Sequence, residues 1–205
     1  MVRGLLLVLL ALIFTGTLSI PFVYESQTLW YKTGYDKSLL RGGQLVGLLA
    51  ALSIFFQILL GVRGKYLEEF FGMTALMSLH RVNGLTLALL AILHIVLVQV
   101  PEGIANLPIG VRFWPEMVGM LLFSIILTMV ISSQFRLQIG LAYQRWRLIH
   151  RMLAYLVPFL LTVHVLFVSD SFEHRIPQTG LFALLVAVAV WILRIKGVYW
   201  LKKKA

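Results

Sequence analysis

Four histidines stand in two pairs of equal spacing, His80 with His94 and His150 with His164. Fourteen residues at 3.6 per turn is just under four turns, so both members of a pair face one side of a helix, roughly 21 Å apart along its axis. If the two helices run parallel, His80 lies level with His150 and His94 with His164. Each level then offers two imidazoles from facing helices, which suits the two axial positions of a haem iron in a helical bundle. A single histidine within a span is as often a packed or hydrogen-bonded group as a ligand. Four at matched depths point to ligation, because ionisable groups within spans are costly and tend to be functional. The chain has no cysteine, which removes thiolate-held iron–sulfur clusters, disulfides and zinc ribbons and leaves histidine as the natural metal ligand. The fifth histidine, His174, is alone in its stretch and is expected to be solvated.

The elements that must position these residues are membrane helices. Of 205 residues 60% are hydrophobic and only 13% charged, against about 25% charged in a soluble domain. A span needs about 20 apolar residues, and apolar runs predict six: about 4–23, 42–62, 74–100, 115–133, 147–169 and 179–197. The connections Glu25 to Arg41, Arg63 to Gly72, Pro101 to Trp114, Ser132 to Trp146 and Asp170 to Gln178 carry the charges and helix breakers. The expected fold is an all-α membrane protein, one domain over residues 1–205, a six-transmembrane-helix bundle with two b-type haems stacked between its third and fifth helices. Residues 1–20 also have the form of a signal peptide, with Arg3 ahead of an apolar run. No small-x-small cleavage site follows cleanly, so they are read as the first span.

The net charge of +10 bears on membrane sidedness, and the partner it implies is a lipid bilayer, not nucleic acid. With the N-terminus inside, the inner face receives Arg3, Arg63, Lys65, Arg81, Arg136, Arg145, Arg147, Arg151, Arg194, Lys196, Lys202, Lys203 and Lys204. The outer face receives only Lys32, Lys37, Arg41, Arg112 and Arg175. That excess places both termini in the cytoplasm.

The face between the ligands reads His80, Gly84, Leu87, Ala91, His94 on the third helix and His150, Ala154, Val157, Leu161, His164 on the fifth. Gly84 and Ala154 leave room for a flat cofactor, although small residues also line ordinary helix contacts in membranes. Pro158 is expected to kink the fifth helix. Arg81, Arg147 and Arg151 flank the inner ligands, where haem propionates want cationic partners; headgroup anchoring is the competing account, and the better one for Arg147. Arg41 opens the second helix on the side where basic residues are disfavoured, so an anion is expected beside it. Lys37 is expected to be solvated in the preceding loop. Trp30, Trp114 and Trp200 fall near the bilayer interfaces, as an aromatic belt would.

The segments LHRVNGLTLALLAILH (Leu79 to His94) and WRLIHRMLAYLVPFLLTVH (Trp146 to His164) closely resemble the haem helices of the ferric-reductase-like transmembrane domain family. That family includes NADPH oxidases, ferric reductases and bacterial haem subunits that supply methionine sulfoxide reductase. The resemblance, over roughly Arg41 to Lys196, implies that His80 and His150 hold an inner haem and His94 and His164 an outer one. Arg41 resembles the arginine that opens helix 2 in the family, which helps hold a propionate or the oxygen species. Both irons would be six-coordinate, so an acceptor would be reduced at the haem edge.

The resemblance further implies a haem-containing oxidoreductase, or its membrane subunit, that carries electrons from a cytoplasmic flavin- or NAD(P)H-linked donor to dioxygen or ferric iron outside. The chain holds no G-x-G-x-x-G, so FAD or FMN is expected on a partner flavoprotein or on a fused dehydrogenase domain beyond this chain. The expected location is a bacterial inner (plasma) membrane. The short Asp170 to Gln178 loop is expected to give the outer end little cover. Two alternatives keep the haems: a quinol-linked cytochrome b, whose Pro-Glu-Trp-Tyr loop is not matched by Phe113 to Met117, and a subunit supplying a periplasmic reductase. A non-redox transporter or scaffold would leave the histidines structural.

Overall fold

The structure, a computed structural model, describes residues 2–62, 65–103 and 106–204. Arg63 lies outside the described residues, as do the side chains of Arg3, Lys65, Trp200, Lys202, Lys203 and Lys204. Among the described residues seven helices follow in order: α1 (Val2–Val23), α2 (Gly34–Val62), α3 (Lys65–Phe71), α4 (Met73–Glu102), α5 (Trp114–Gln134), α6 (Tyr143–Val168) and α7 (Arg175–Lys204). No strand occurs among the described residues. Among the described residues, five helical stretches are long and apolar enough to cross a bilayer: α2, α4, Val111–Gln134, α6 and the Arg175–Gly197 part of α7. A backbone in hydrocarbon must satisfy its own hydrogen bonds, and helices of this length do so. The chain is an integral membrane protein.

The helices outrun the apolar runs that announced them. α2 starts at Gly34, not near residue 42, so Arg41 lies two turns inside the helix instead of opening it. Hydropathy locates the part in lipid and misses a polar first turn, which here carries Asp36 where the helix dipole favours an acid. The expected loop Arg63 to Gly72 contains the short helix α3, joined to α4 through Gly72 at φ 76°. α6 begins at Tyr143, earlier than expected, and continues through Pro158 to Val168.

α2 packs along α4 and α5 along α6, while α1 and α7 lean on α2. Without water to drive apolar faces together, close approach in a bilayer depends on small residues. A Cβ at Gly43 would stand 2.8 Å from Cγ2 of Val98 and 3.3 Å from the Leu97 backbone. Polar contacts add to the same seam. Ser53 Oγ donates to Asn83 Oδ1 (3.0 Å), Asn83 Nδ2 donates to Gln57 Oε1 (2.7 Å), and Gln57 Nε2 donates to the His80 carbonyl (2.9 Å). Interhelical bonds of this kind contribute about 0.6 kcal/mol each. The core draws Ile54 and Phe55 from α2, Leu87 from α4, Leu122 and Ile126 from α5, Val157 and Leu161 from α6, and Leu181 from α7.

One end of the bundle is strapped. The segment between α1 and α2 carries a 3-10 turn, Gln27–Leu29, whose Leu29 is fully buried. Asp170 Oδ2 accepts from Ser26 Oγ (3.0 Å) and from the Gln27 N–H (3.2 Å), and Ser171 Oγ donates to the Tyr24 carbonyl (2.6 Å). Lys32 pairs with Glu102 at 3.1 Å and donates to the Pro101 carbonyl at 2.9 Å. The α6–α7 connection, expected to leave this end open, is therefore tied to the α1–α2 connection. His174 is exposed and rests its ring on Tyr24, with centroids 5.0 Å apart.

Candidate functional site

The four paired histidines come together at two levels between α4 and α6. The rings of His80 and His150 lie 6.3 Å apart, tilted by 59°, and those of His94 and His164 lie 6.5 Å apart at 84°. The equal fourteen-residue spacing is what makes both contacts possible at once, and it requires α4 and α6 to run parallel. Leu87, Val157 and Leu161 are buried between the levels. Gly84, expected to leave room for a flat cofactor, turns to α2 instead: a Cβ there would meet Gln57 Nε2 at 3.1 Å.

At the strapped end, Nδ1 of His94 lies 2.8 Å from the Gly43 carbonyl and Nδ1 of His164 lies 3.0 Å from the Pro115 carbonyl. A carbonyl can only accept, so Nδ1 carries the proton in both rings and Nε2 keeps its lone pair. Each ring also lies on a glycine of the neighbouring helix. A Cβ at Gly47 would stand 2.8 Å from Cε1 and Nδ1 of His94, and one at Gly119 would stand 2.7 Å from Nδ1 of His164. Around His80 the fit is looser, with a Cβ at Gly61 reaching Cε1 at 3.5 Å.

These observations test whether the residues suit a bis-histidine haem. A metal–imidazole bond of about 2.0 Å, plus about 1.1 Å from that nitrogen to its ring centroid, puts two trans imidazole centroids roughly 6.2 Å apart. Both observed separations lie close to that figure. Nδ1–H donated to a carbonyl is also the usual outer-shell partner of a ligating histidine. Orphaned polar atoms lie at both levels. Trp146 Nε1 is buried without a partner among the described residues, and its ring lies 5.2 Å from that of His150. Nε of Arg41 is buried without a partner at the strapped end. Both are donors that a propionate could accept from, so the residues present fit the group.

Of the arginines, Arg81, Arg147 and Arg151 are exposed at the His80–His150 level. The anion beside Arg41 is Glu25, which the reading of the sequence did not name in place of a propionate or an acceptor; Arg41 forms an ion pair with it while stacking on the Phe22 ring at 5.2 Å. Lys37, expected to be solvated in a loop, lies on α2 and shares Glu25 at 3.0 Å. The hydrogen bond from Lys37 and the charge of Arg41 hold the Glu25 carboxyl below the usual carboxylate range.

Trp146 and the three glycines escaped the reading of the sequence. Signals existed: Trp146 stands four residues before His150, one turn away on the same face, and Gly47 and Gly61 repeat the fourteen-residue interval of the histidines.

A family model described as the ferric reductase like transmembrane component matches residues 46–163, more than half of the chain, and the chain belongs to that family. His80, His94 and His150 fall within the match, His164 one residue beyond it and Arg41 five residues before it. No curated protein and no solved structure matches. Family membership makes the chain an oxidoreductase, or the membrane component of one, of a kind suited to transmembrane electron transfer.

Proposed function

We propose that this member of the ferric-reductase-like family is a six-span, single-domain conduit that holds two b-type haems and passes electrons from a cytoplasmic flavin- or NAD(P)H-linked donor to dioxygen or ferric iron outside. The observation that carries the proposal is the pair of imidazole separations, 6.3 and 6.5 Å, each close to what one six-coordinate iron requires. When bound, the haems supply one-electron transfer at two depths of the bilayer. His80 and His150 would hold the inner one, His94 and His164 the outer. Leu87, Val157 and Leu161 fill the interval and exclude water. Arg81 and Arg151, exposed one residue after His80 and His150, would neutralise inner propionates, and Trp146 Nε1 would add a donor there. Arg41, whose Nε is left without a partner among the described residues beside the Glu25 ion pair, would stabilise negative charge at the outer level, either an outer propionate or an anionic acceptor at the haem edge.

The sixth span is α1, a 22-residue apolar helix. The orientation we infer rests on the positive-inside excess, with both termini cytoplasmic and the strapped end outside, and the membrane we propose is a bacterial inner (plasma) membrane. The donor flavin, FAD or FMN, sits on a partner flavoprotein or on a dehydrogenase domain beyond this chain. A pyridine haemochromogen assay on the purified chain should give two haems per polypeptide, low-spin, with no carbon monoxide binding to the reduced form. One haem per chain would remove the four-ligand assignment, and none would remove the function.

A further inference from the structure

The outer histidines are seated by the same backbone device on two different helices. On α2 the acceptor is the carbonyl of Gly43 and the ring lies on Gly47; on α5 the acceptor is the carbonyl of Pro115 and the ring lies on Gly119. In both cases the glycine is four residues beyond the carbonyl. That interval has a reason. A helical carbonyl points at the N–H four residues on, and the Cβ of that fourth residue leans back toward the helix N-terminus. It therefore stands beside the carbonyl and screens its second lone pair. With glycine at that position the lone pair is open, and an imidazole from another helix can lie flat on the gap and donate to it.

We propose that Gly47 and Gly119 are positioning residues: by leaving the Gly43 and Pro115 carbonyls open, they lock His94 and His164 in the Nδ1–H form and turn both Nε2 atoms toward each other. The inference rests on the haem reading above and extends it to residues that touch neither iron nor acceptor. At the inner level the device is not seen at His150. His150 Nδ1 is buried without a hydrogen-bond partner among the described residues, and the position on α5 fourteen residues beyond Gly119 is Ser133. Donation from Nδ1 makes an imidazole a stronger ligand, so the outer ligands are the more basic pair and favour ferric over ferrous iron. The two levels thus differ electronically although each offers the same two side chains.

The test uses the full chain, purified with whatever haem it carries, and the variants Gly47→Ala and Gly119→Ala, with Gly61→Ala as the control whose added methyl makes only ordinary contact with His80. Electron paramagnetic resonance and spectroelectrochemistry read the two low-spin centres separately. Each test variant should lose the outer signal, or shift its g-values and raise its midpoint potential, while the inner signal stays put; Gly61→Ala should keep both. Nitrogen-15 spectra of the histidine side chains in the same full-length chain should show Nδ1–H at His94 and His164 in the parent and its loss at the affected ring. The two glycines are independent copies of one device, so if one variant fails to insert, the other decides. Unchanged outer signals in a folded variant overturn the inference, as does equal damage from Gly61→Ala, which would mean general packing loss. A parent chain with no haem signal overturns the underlying haem reading instead, and this is seen before any variant is compared.

Discussion

Glu25, on the connection after α1, forms an ion pair with Arg41, two turns inside α2, and Lys37 one turn earlier reaches the same carboxylate oxygen. One acid is thus shared by two cations at the strapped end. Because Glu25 titrates below the usual carboxylate range, its contribution to stability is complete above that range and is lost as pH falls through its own depressed value. Melting of the detergent-solubilised protein should therefore drop on acidification, and Glu25→Gln should melt lower at neutral pH with a flatter acid limb. Parallel curves for parent and variant would show that the pair contributes nothing.

Arg41→Ala should lower the potential of the outer centre while both haems stay bound. A unit charge acting over about 15 Å at an effective dielectric of about 20 is worth on the order of 1 kcal/mol, so tens of millivolts are expected by spectroelectrochemistry. Lys37 is not a neutral control, since it shares Glu25. Lys32 is the better one, a cation at the same end engaged with Glu102 and Pro101. Equal shifts in Arg41→Ala and Lys32→Ala would reduce Arg41 to part of the general field.

Ligand substitutions should respect the levels. His94→Ala should remove the outer haem and leave the inner one, and adding His164→Ala should change little more, because both act on one site. His80→Ala combined with His164→Ala should empty both. Haem content and reduced-band spectra decide; a same-level double variant that loses twice as much as either single would show that the four rings do not act as two pairs.

Asn83 joins Ser53 and Gln57 in the middle of the α2–α4 seam. Asn83→Leu leaves their polar atoms without partners in a place water does not reach, at a cost of about 1–3 kcal/mol. Its melting midpoint should fall clearly below that of Thr179→Val, which removes only an exposed hydroxyl bonded to its own helix. Equal midpoints would mean that the two stranded groups find other partners.

Much of this arrangement was legible in the sequence because it depends on period. Five of the six expected spans follow from apolar runs, and the level pairing of His80 with His150 and His94 with His164 follows from counting residues along parallel helices. What stayed hidden depends on the neighbour. The partners of Arg41 and Lys37 required knowing that Glu25 folds back over α2. The glycines under the rings have meaning only once α2 is known to lie against α4 and α5 against α6. Of the two readings open for Gly84, cofactor or helix contact, the structure shows the helix contact with α2, and the sequence could not choose because helical period gives a face and not what the face meets. The polar start of α2 and the short α3 were missed because hydropathy sees lipid, not helix.

The two histidine levels are four turns apart, roughly 21 Å of rise in a hydrocarbon layer roughly 30 Å thick. An electron crossing from one level to the other therefore moves through most of the dielectric that holds the transmembrane voltage. A full crossing is worth about 2.3 kcal/mol per 100 mV, so this step gains or loses on the order of 1.5 kcal/mol for each 100 mV. In the proposed orientation, with the cytoplasm negative, outward electron flow would be downhill in the membrane potential. On the proposed function, the spacing that aligns the histidines would also make the transfer electrogenic: each turnover would discharge part of the membrane potential, and an energised cell would drive it faster than a depolarised one.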